Sequence, residues 1–182
     1  MTNGKNKKTI HDLVSISLFS ALITICSWIT VPFFIPFTLQ TFAIFLTVAL
    51  LGGKRGTIAV CCYILLGVCG LPVFSNFNSG ASALLGTTGG YISGFIFMAL
   101  VMWAFEAIFG KKTIVLIISM IFGLLVCYAF GSLWYMLVYM RDTGAVGITA
   151  VLVKCVVPYI LPDIVKMFLA LIVKKRLEKH IR

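Results

Sequence analysis

The stretch Pro158-Tyr-Ile-Leu-Pro-Asp-Ile-Val-Lys-Met-Phe-Leu-Ala-Leu-Ile-Val173 decides the reading of this chain. It is apolar enough to cross a bilayer, yet it holds Asp163 and Lys166, and no other stretch this apolar carries an acid and a base together. On insertion scales each charge costs about 2.5–3.5 kcal/mol at mid-depth, so keeping both needs a reason. Spaced i and i+3, the two lie on one face of a helix, where they compensate each other. One reading is a structural ion pair that fixes helix packing. The other, which we favour, is a polar site for a small molecule that carries hydrogen-bonding or charged groups of its own.

The whole chain agrees with a membrane setting. Of its 182 residues, 61% are hydrophobic and 11% charged, and the mean hydropathy is +1.11. An ordinary soluble domain has about 25% charged residues. A span takes about 20 apolar residues, so this length accommodates one membrane domain of at most about six or seven spans and no further soluble module.

The net charge of +10 invites a nucleic-acid reading, but its placement argues against one. Twelve of the 15 basic residues fall at alternate junctions: Lys5, Lys7 and Lys8; Lys54 and Arg55; Lys111 and Lys112; then Lys174, Lys175, Arg176, Lys179 and Arg182. The remaining three are Arg141, Lys154 and Lys166. This is the positive-inside pattern, and it predicts an all-α integral membrane protein with six transmembrane helices and both termini cytoplasmic. The spans fall at about 13–31, 37–53, 56–71, 91–109, 113–140 and 158–173, between cytoplasmic tails at 1–12 and 174–182. The basic start followed by an apolar run resembles a signal peptide, but no small-residue cleavage site interrupts it cleanly, so it reads as a retained helix.

Several features mark the side opposite the lysines as the place for a ligand. The first span stops near Pro32 and Pro36, the second opens on Thr38, Gln40 and Thr41, and the third ends at Pro72. Interrupted or short spans of this kind mark binding sites in transporters. Ser75-Asn-Phe-Asn-Ser-Gly-Ala-Ser82 and Gly86-Thr-Thr-Gly-Gly90 are too polar and glycine-rich for a lipid-facing helix, and could cover a cavity. Asp163 lies 11 residues before Lys174, about 16 Å at 1.5 Å per residue, which puts it near the middle of a core about 30 Å thick. Arg141-Asp-Thr-Gly144 reads as an exposed turn. The stretch 145–157 fits either the start of the sixth span or a surface helix.

Other chemistry is excluded. No segment fits the phosphate loop G-x-x-x-x-G-K-[ST], so the chain does not hydrolyse ATP in the usual way. It holds no nucleophile–base set or H-E-x-x-H motif, and an enzyme is not indicated. The six cysteines sit in apolar runs without a C-x-x-C spacing and read as packing residues. The two histidines, His11 and His180, lie in the tails, so neither a metal centre nor a cofactor is expected.

Five segments together resemble the BioY family, the biotin-binding S components of energy-coupling factor (ECF) transporters. They are Ile35-Pro-Phe-Thr-Leu-Gln-Thr-Phe42, Gly52-Gly-Lys-Arg-Gly56, Leu66-Gly-Val-Cys-Gly-Leu-Pro-Val-Phe74, Gly86-Thr-Thr-Gly-Gly-Tyr91 and Pro158-Tyr-Ile-Leu-Pro-Asp-Ile-Val-Lys166. They occur in family order and cover about residues 10–174. The resemblance implies a multi-pass protein of the bacterial plasma membrane that binds biotin from outside and works with a transmembrane coupling subunit and two ATPases. It implies vitamin contacts from Asp163 and Lys166 and from an asparagine after the third helix, for which Asn76 and Asn78 are both candidates. Gln40, Gly90 and Tyr91 fall in matching motifs and are expected to line the pocket. Ser17 and Ala21, a small-xxx-small pair on the first helix, are expected to face the coupling subunit; packing inside the monomer is the alternative. Two departures stand out: Pro162 before Asp163, where the family commonly has glycine, and Thr87, where it has proline. Biotin suits the residues chemically, since its ureido ring offers two N–H donors and a carbonyl acceptor. Rival readings are an S component for another vitamin and a membrane scaffold whose Asp–Lys pair is structural.

Overall fold

The computed structural model describes residues 3–31, 37–143 and 148–181. The described residues are almost entirely helical: α1 (Asn3–Trp28), α2 (Gln40–Leu51), α3 (Gly53–Val68), α4 (Ala81–Leu85), α5 (Gly89–Phe109), α6 (Thr113–Thr143), α7 (Ile148–Cys155) and α8 (Val157–Ile181). A 3-10 turn, Ser75–Phe77, precedes α4, and a two-residue antiparallel ribbon pairs Thr30–Val31 with Phe37–Thr38. Four segments are long and apolar enough to cross a membrane: Thr9–Trp28, Gly89–Phe109, Thr113–Val138 and Val151–Lys179. Helix α2 is apolar but has 12 residues, and α3 has 16.

These lengths follow from local chemistry. Gly52 sits at φ +82°, a left-handed conformation open to glycine, and is the single residue that reverses the chain between α2 and α3. Its N–H closes α2 on the Val48 carbonyl at 3.0 Å, and the Gly53 N–H donates to the Glu106 carboxylate on α5. An anion at a helix N-terminus satisfies an orphan donor and complements the dipole. Helix α8 runs through Pro162, which removes one N–H from the ladder just before Asp163.

In lipid the helices cannot be driven together by the hydrophobic effect, so close packing and polar ties must do it. Helices α5 and α6 form the most extensive pair, α2 contacts α1, α3, α5 and α8, and α1 also packs on α3. Ser20 on α1 donates to the Ala59 carbonyl on α3 at 2.8 Å, and Trp28 Nε1 to the Pro72 carbonyl at 2.9 Å. Tyr63, Phe45, Phe74, Met98, Met102 and Met120 fill the interior. Large apolar side chains such as Leu18, Phe122, Leu137 and Phe168 remain exposed, as lipid contact requires. Among the described residues every buried side-chain nitrogen and oxygen has a partner.

The segment Ser75–Gly90 is not a featureless loop, because it carries the 3-10 turn and α4. Phe74 anchors its start, 1% exposed against α3, where a Cβ on Gly67 would fall 2.1 Å from the Phe74 ring. Trp134 Nε1 pins its end by donating to the Gly86 carbonyl at 3.0 Å. Residues 141–143, expected in a turn, are helical and continue α6; glycine 144 lies outside the described residues. Residues 148–155 form a helix, α7, that a turn at Val156 parts from α8, and the apolar segment Val151–Lys179 runs across both; 145–147 lie outside the described residues. The prolines expected to end the first span, at 32 and 36, also lie outside the described residues.

Candidate functional site

Contact between α2 and α8 places the start of the short second helix against the charged turn of the last one. Asp163 and Lys166 are 3% and 4% exposed, with Lys166 Nζ 2.8 Å from Asp163 Oδ1. Thr41 on α2 donates to the same carboxylate oxygen at 2.8 Å and accepts from Lys166 Nζ at 3.0 Å. Tyr128 on α6 donates to Asp163 Oδ2. The Lys166 ammonium also sits 3.9 Å from the centroid of the Phe37 ring, a cation–π contact. Three helices thus converge on one carboxylate, and each of its oxygens accepts at least one bond.

This network forms one wall of a cleft that Gln40, Thr41, Tyr91, Ile92, Tyr128 and Tyr159 also line. Gln40 is held from both ends: its Oε1 accepts from Thr38 Oγ1 at 2.9 Å and its Nε2 donates to Tyr63. The Tyr91 hydroxyl reaches the Cys155 carbonyl at 3.3 Å and lies 3.4 Å from Ser132 Oγ. Phe37 and Tyr159 face each other with centroids 6.4 Å apart. The arrangement therefore offers an aromatic-lined cleft with one acid, one base and one amide, all fixed by neighbours. Such a cleft suits a small planar polar ring with an apolar flank.

Of the residues singled out in the sequence, Asp163, Lys166, Gln40 and Tyr91 come together at this cleft. The others do not. Gly90 is buried against α6, where a Cβ would lie 2.2 Å from the Trp134 Cβ, so it serves helix packing rather than the cleft wall. Asn76 is exposed at φ 57° in the 3-10 turn, and Asn78 lines a neighbouring cavity. Ser17 and Ala21 are exposed on α1 and edge an apolar groove with Leu65 and Leu66 of α3, away from the cleft. Sequence reasoning missed Thr41, Tyr128, Phe37 and Tyr159 as cleft residues. Thr41 had a signal, being a polar residue at the start of a short span; Tyr128 lies in an apolar run and had none.

The match to known proteins extends along the whole chain: residues 2–182 fit the model of the BioY family. The chain belongs to that family. The biotin transporter BioY of Thermotoga maritima is 38% identical, over 93% of this chain and 97% of its own. The probable biotin transporter BioY of Pyrococcus horikoshii is 35% identical, over 90% and 93%. Among solved structures, the S-component for biotin from an ECF-type ABC transporter superposes with a TM-score of 0.83 at 26% identity, covering 98% of this chain and 95% of its own. Its likeness extends the family match to the fold, a membrane S-component architecture built from helices.

Proposed function

We infer that this BioY-family chain is the substrate-specific subunit of an ECF-type ABC transporter and captures biotin at the outer face of the bacterial plasma membrane. The observation that carries this reading is the buried Asp163–Lys166–Thr41–Tyr128 network on the wall of an aromatic cleft, in a chain whose relatives are named biotin transporters. The chain is a transport component rather than an enzyme, and biotin is its cargo; no cofactor enters the account. The ureido group is the part of biotin that this network complements: Asp163 accepts from its N–H donors and Lys166 donates to its carbonyl. Tyr91, Phe37 and Tyr159 flank the apolar ring.

The proposed topology has six spans, α1, α2, α3, α5, α6 and α8, with both termini cytoplasmic. The alternation of basic residues supports it, and so does the one-residue reversal at Gly52, which leaves Lys54 and Arg55 at the same end as Glu106 and Lys111. Transport would require a transmembrane coupling subunit and two ATPase subunits, since the chain has no phosphate loop. The groove between α1 and α3 bearing Ser17 and Ala21 is the proposed docking face for the coupling subunit, because small side chains allow close helix approach.

Equilibrium binding of biotin to the detergent-purified protein tests the reading. Tight binding by the parent, lost in folded Asp163→Asn and Lys166→Ala variants, is the expected result. A well-folded parent that ignores biotin overturns the ligand. Binding that survives both substitutions returns the pair to a structural role.

A further inference from the structure

The last helix is packed unevenly. Its extensive contacts are with α2 and α7, and it makes none of that extent with α5 or α6. At the lysine-bearing end this leaves a cavity of about 180 Å³ between the α5–α6 hairpin and α8, with the end of α2 as its floor.

The cavity lies where the apolar spans end. Lys111 and Lys112 fall between the spans Gly89–Phe109 and Thr113–Val138, and Lys174 lies near the end of Val151–Lys179. That is the depth of lipid head groups. Ala49, Val115 and Leu116 give the lining an apolar part, while Lys111, Lys112 and Lys174 face Glu106 and Glu178 across the rest. Both acids are engaged: Glu106 accepts from the Gly53 N–H and pairs with Lys111 at 3.3 Å, and Glu178 pairs with Lys174 at 3.5 Å. Among the described residues Lys112 has no ion pair, so the lining holds one cation in surplus. The Lys174 side chain is 15% exposed, held against the cavity, whereas its partner Glu178 is 58% exposed. A pair with so wet a partner is weak, and Lys174 can take a second counter-ion at little cost.

A cavity that is apolar on one side and cationic on the other, at head-group depth, fits an amphiphile with an anionic head. Basic pockets between membrane helices at this level bind lipid phosphates. An anion without a chain would leave the apolar lining bare, and an apolar peptide face would leave the surplus cation unpaired.

We propose that this cavity is a binding site for one anionic phospholipid, its phosphate between Lys112 and Lys174 and the start of an acyl chain along Ala49, Val115 and Leu116. The lipid supplies the packing that α8 lacks against the α5–α6 hairpin, and so ties these helices together. The site is independent of the ligand taken by the cleft.

The full-length protein, purified in detergent and stripped of lipid, is titrated with dioleoyl phosphatidylglycerol, dioleoyl phosphatidylcholine and inorganic phosphate. Native mass spectrometry reads bound lipid, and thermal unfolding reads its effect. One phosphatidylglycerol binds in preference to phosphatidylcholine and raises the unfolding midpoint, while phosphate alone does not. Lys112→Gln/Lys174→Gln weakens phosphatidylglycerol about 25-fold, or about fivefold for each lysine removed. Lys175→Gln/Lys179→Gln makes the same change of net charge but lines the next cavity, and leaves the affinity within about twofold. Ala49→Leu keeps every charge, narrows the apolar part and also weakens the lipid, so a fault in folding of the lysine variant leaves the proposal testable. Equal binding of phosphatidylcholine overturns the proposal, as does an equal loss in Lys175→Gln/Lys179→Gln, which would make the attraction diffuse. Phosphate that stabilises as much as the lipid would show a free-anion site instead. A face built for the coupling subunit would show no preference for phosphatidylglycerol and lose co-purification in Lys112→Gln/Lys174→Gln.

Discussion

Replacing Asp163 by asparagine separates what the pair does for the fold from what it does for the ligand. Asparagine keeps the shape: its carbonyl still accepts from Thr41 and Lys166, and the Tyr128 hydroxyl turns to accept from the new N–H. The negative charge is lost, leaving the 4%-exposed Lys166 ammonium without its counter-ion. Removing one partner of a buried pair costs about 3–5 kcal/mol, whereas replacing both by well-packed neutral residues is often neutral or stabilising. Asp163→Asn should therefore lower the thermal unfolding midpoint in detergent, and Asp163→Asn/Lys166→Met should recover most of that loss. Binding should not recover. Each charge-assisted hydrogen bond to the ligand is worth about 1.5–3 kcal/mol, so biotin affinity should fall roughly 10- to 150-fold in the single variant and at least as far in the double. Unfolding monitored by tryptophan fluorescence, with calorimetric titration beside it, reads both quantities. An Asp163→Asn protein as stable as the parent would refute the packing half of the reasoning, and a double variant that binds biotin like the parent would refute the ligand half.

The two asparagines left open by the sequence divide by geometry. Asn78→Ala should weaken biotin binding in a titration, while Asn76→Gly, at φ 57°, should leave affinity unchanged. Gly90→Ala should act on stability, costing about 1–3 kcal/mol by thermal unfolding, because its Cβ would meet Trp134 rather than ligand. Glu106→Gln should cost about 1 kcal/mol by weakening the bond to the Gly53 N–H, whereas Lys111→Ala should stay within about 0.5 kcal/mol, since that lysine is 79% exposed and its ion pair with Glu106 is a surface one. Ser17→Leu with Ala21→Leu should abolish co-purification with the coupling subunit while biotin binding persists; loss of both would place the pair in the monomer's own packing.

The sequence made the membrane class legible because the signal is one-dimensional. Apolar length and the alternation of lysines need no partner residues, and the Asp163–Lys166 spacing is a property of a single helix. What it could not supply is which separate helices meet. Tyr128 lies 35 residues from Asp163 and Thr41 lies 122 away, and their bonds exist through the packing of α6 and α2 on α8. The same limit explains Gly90. Falling in a family motif with Tyr91, Gly90 is expected to line the pocket, yet a Cβ there would meet Trp134, which pins the Gly86 carbonyl. Helix boundaries were legible where glycine or proline punctuates them, as at Gly52 and Gly110, and less so between α7 and α8, which part at Val156, a residue that is no breaker.

The closed bonding of the cleft also shapes what binding can be. Water cannot reach the middle of a bilayer freely, so an acid and a base left open there for a ligand would each bear the full cost of desolvation. In this fold they are satisfied internally: Asp163 by Lys166, Thr41 and Tyr128, and Lys166 by Asp163, Thr41 and the Phe37 ring. The space left beside these bonds is about 70 Å³, so a ligand ring displaces some of them as it enters. Binding is then an exchange, in which ureido contacts replace some of these internal bonds, and the gain is the difference between the charge-assisted bonds made and those given up. Further affinity comes from the apolar flank of Tyr91, Phe37 and Tyr159 and from the polar groups of the adjoining loop cavity. A shortened ligand that keeps the ureido ring but lacks the acidic chain should therefore lose far more affinity than its few missing atoms suggest, and titration with such a ring fragment would show it.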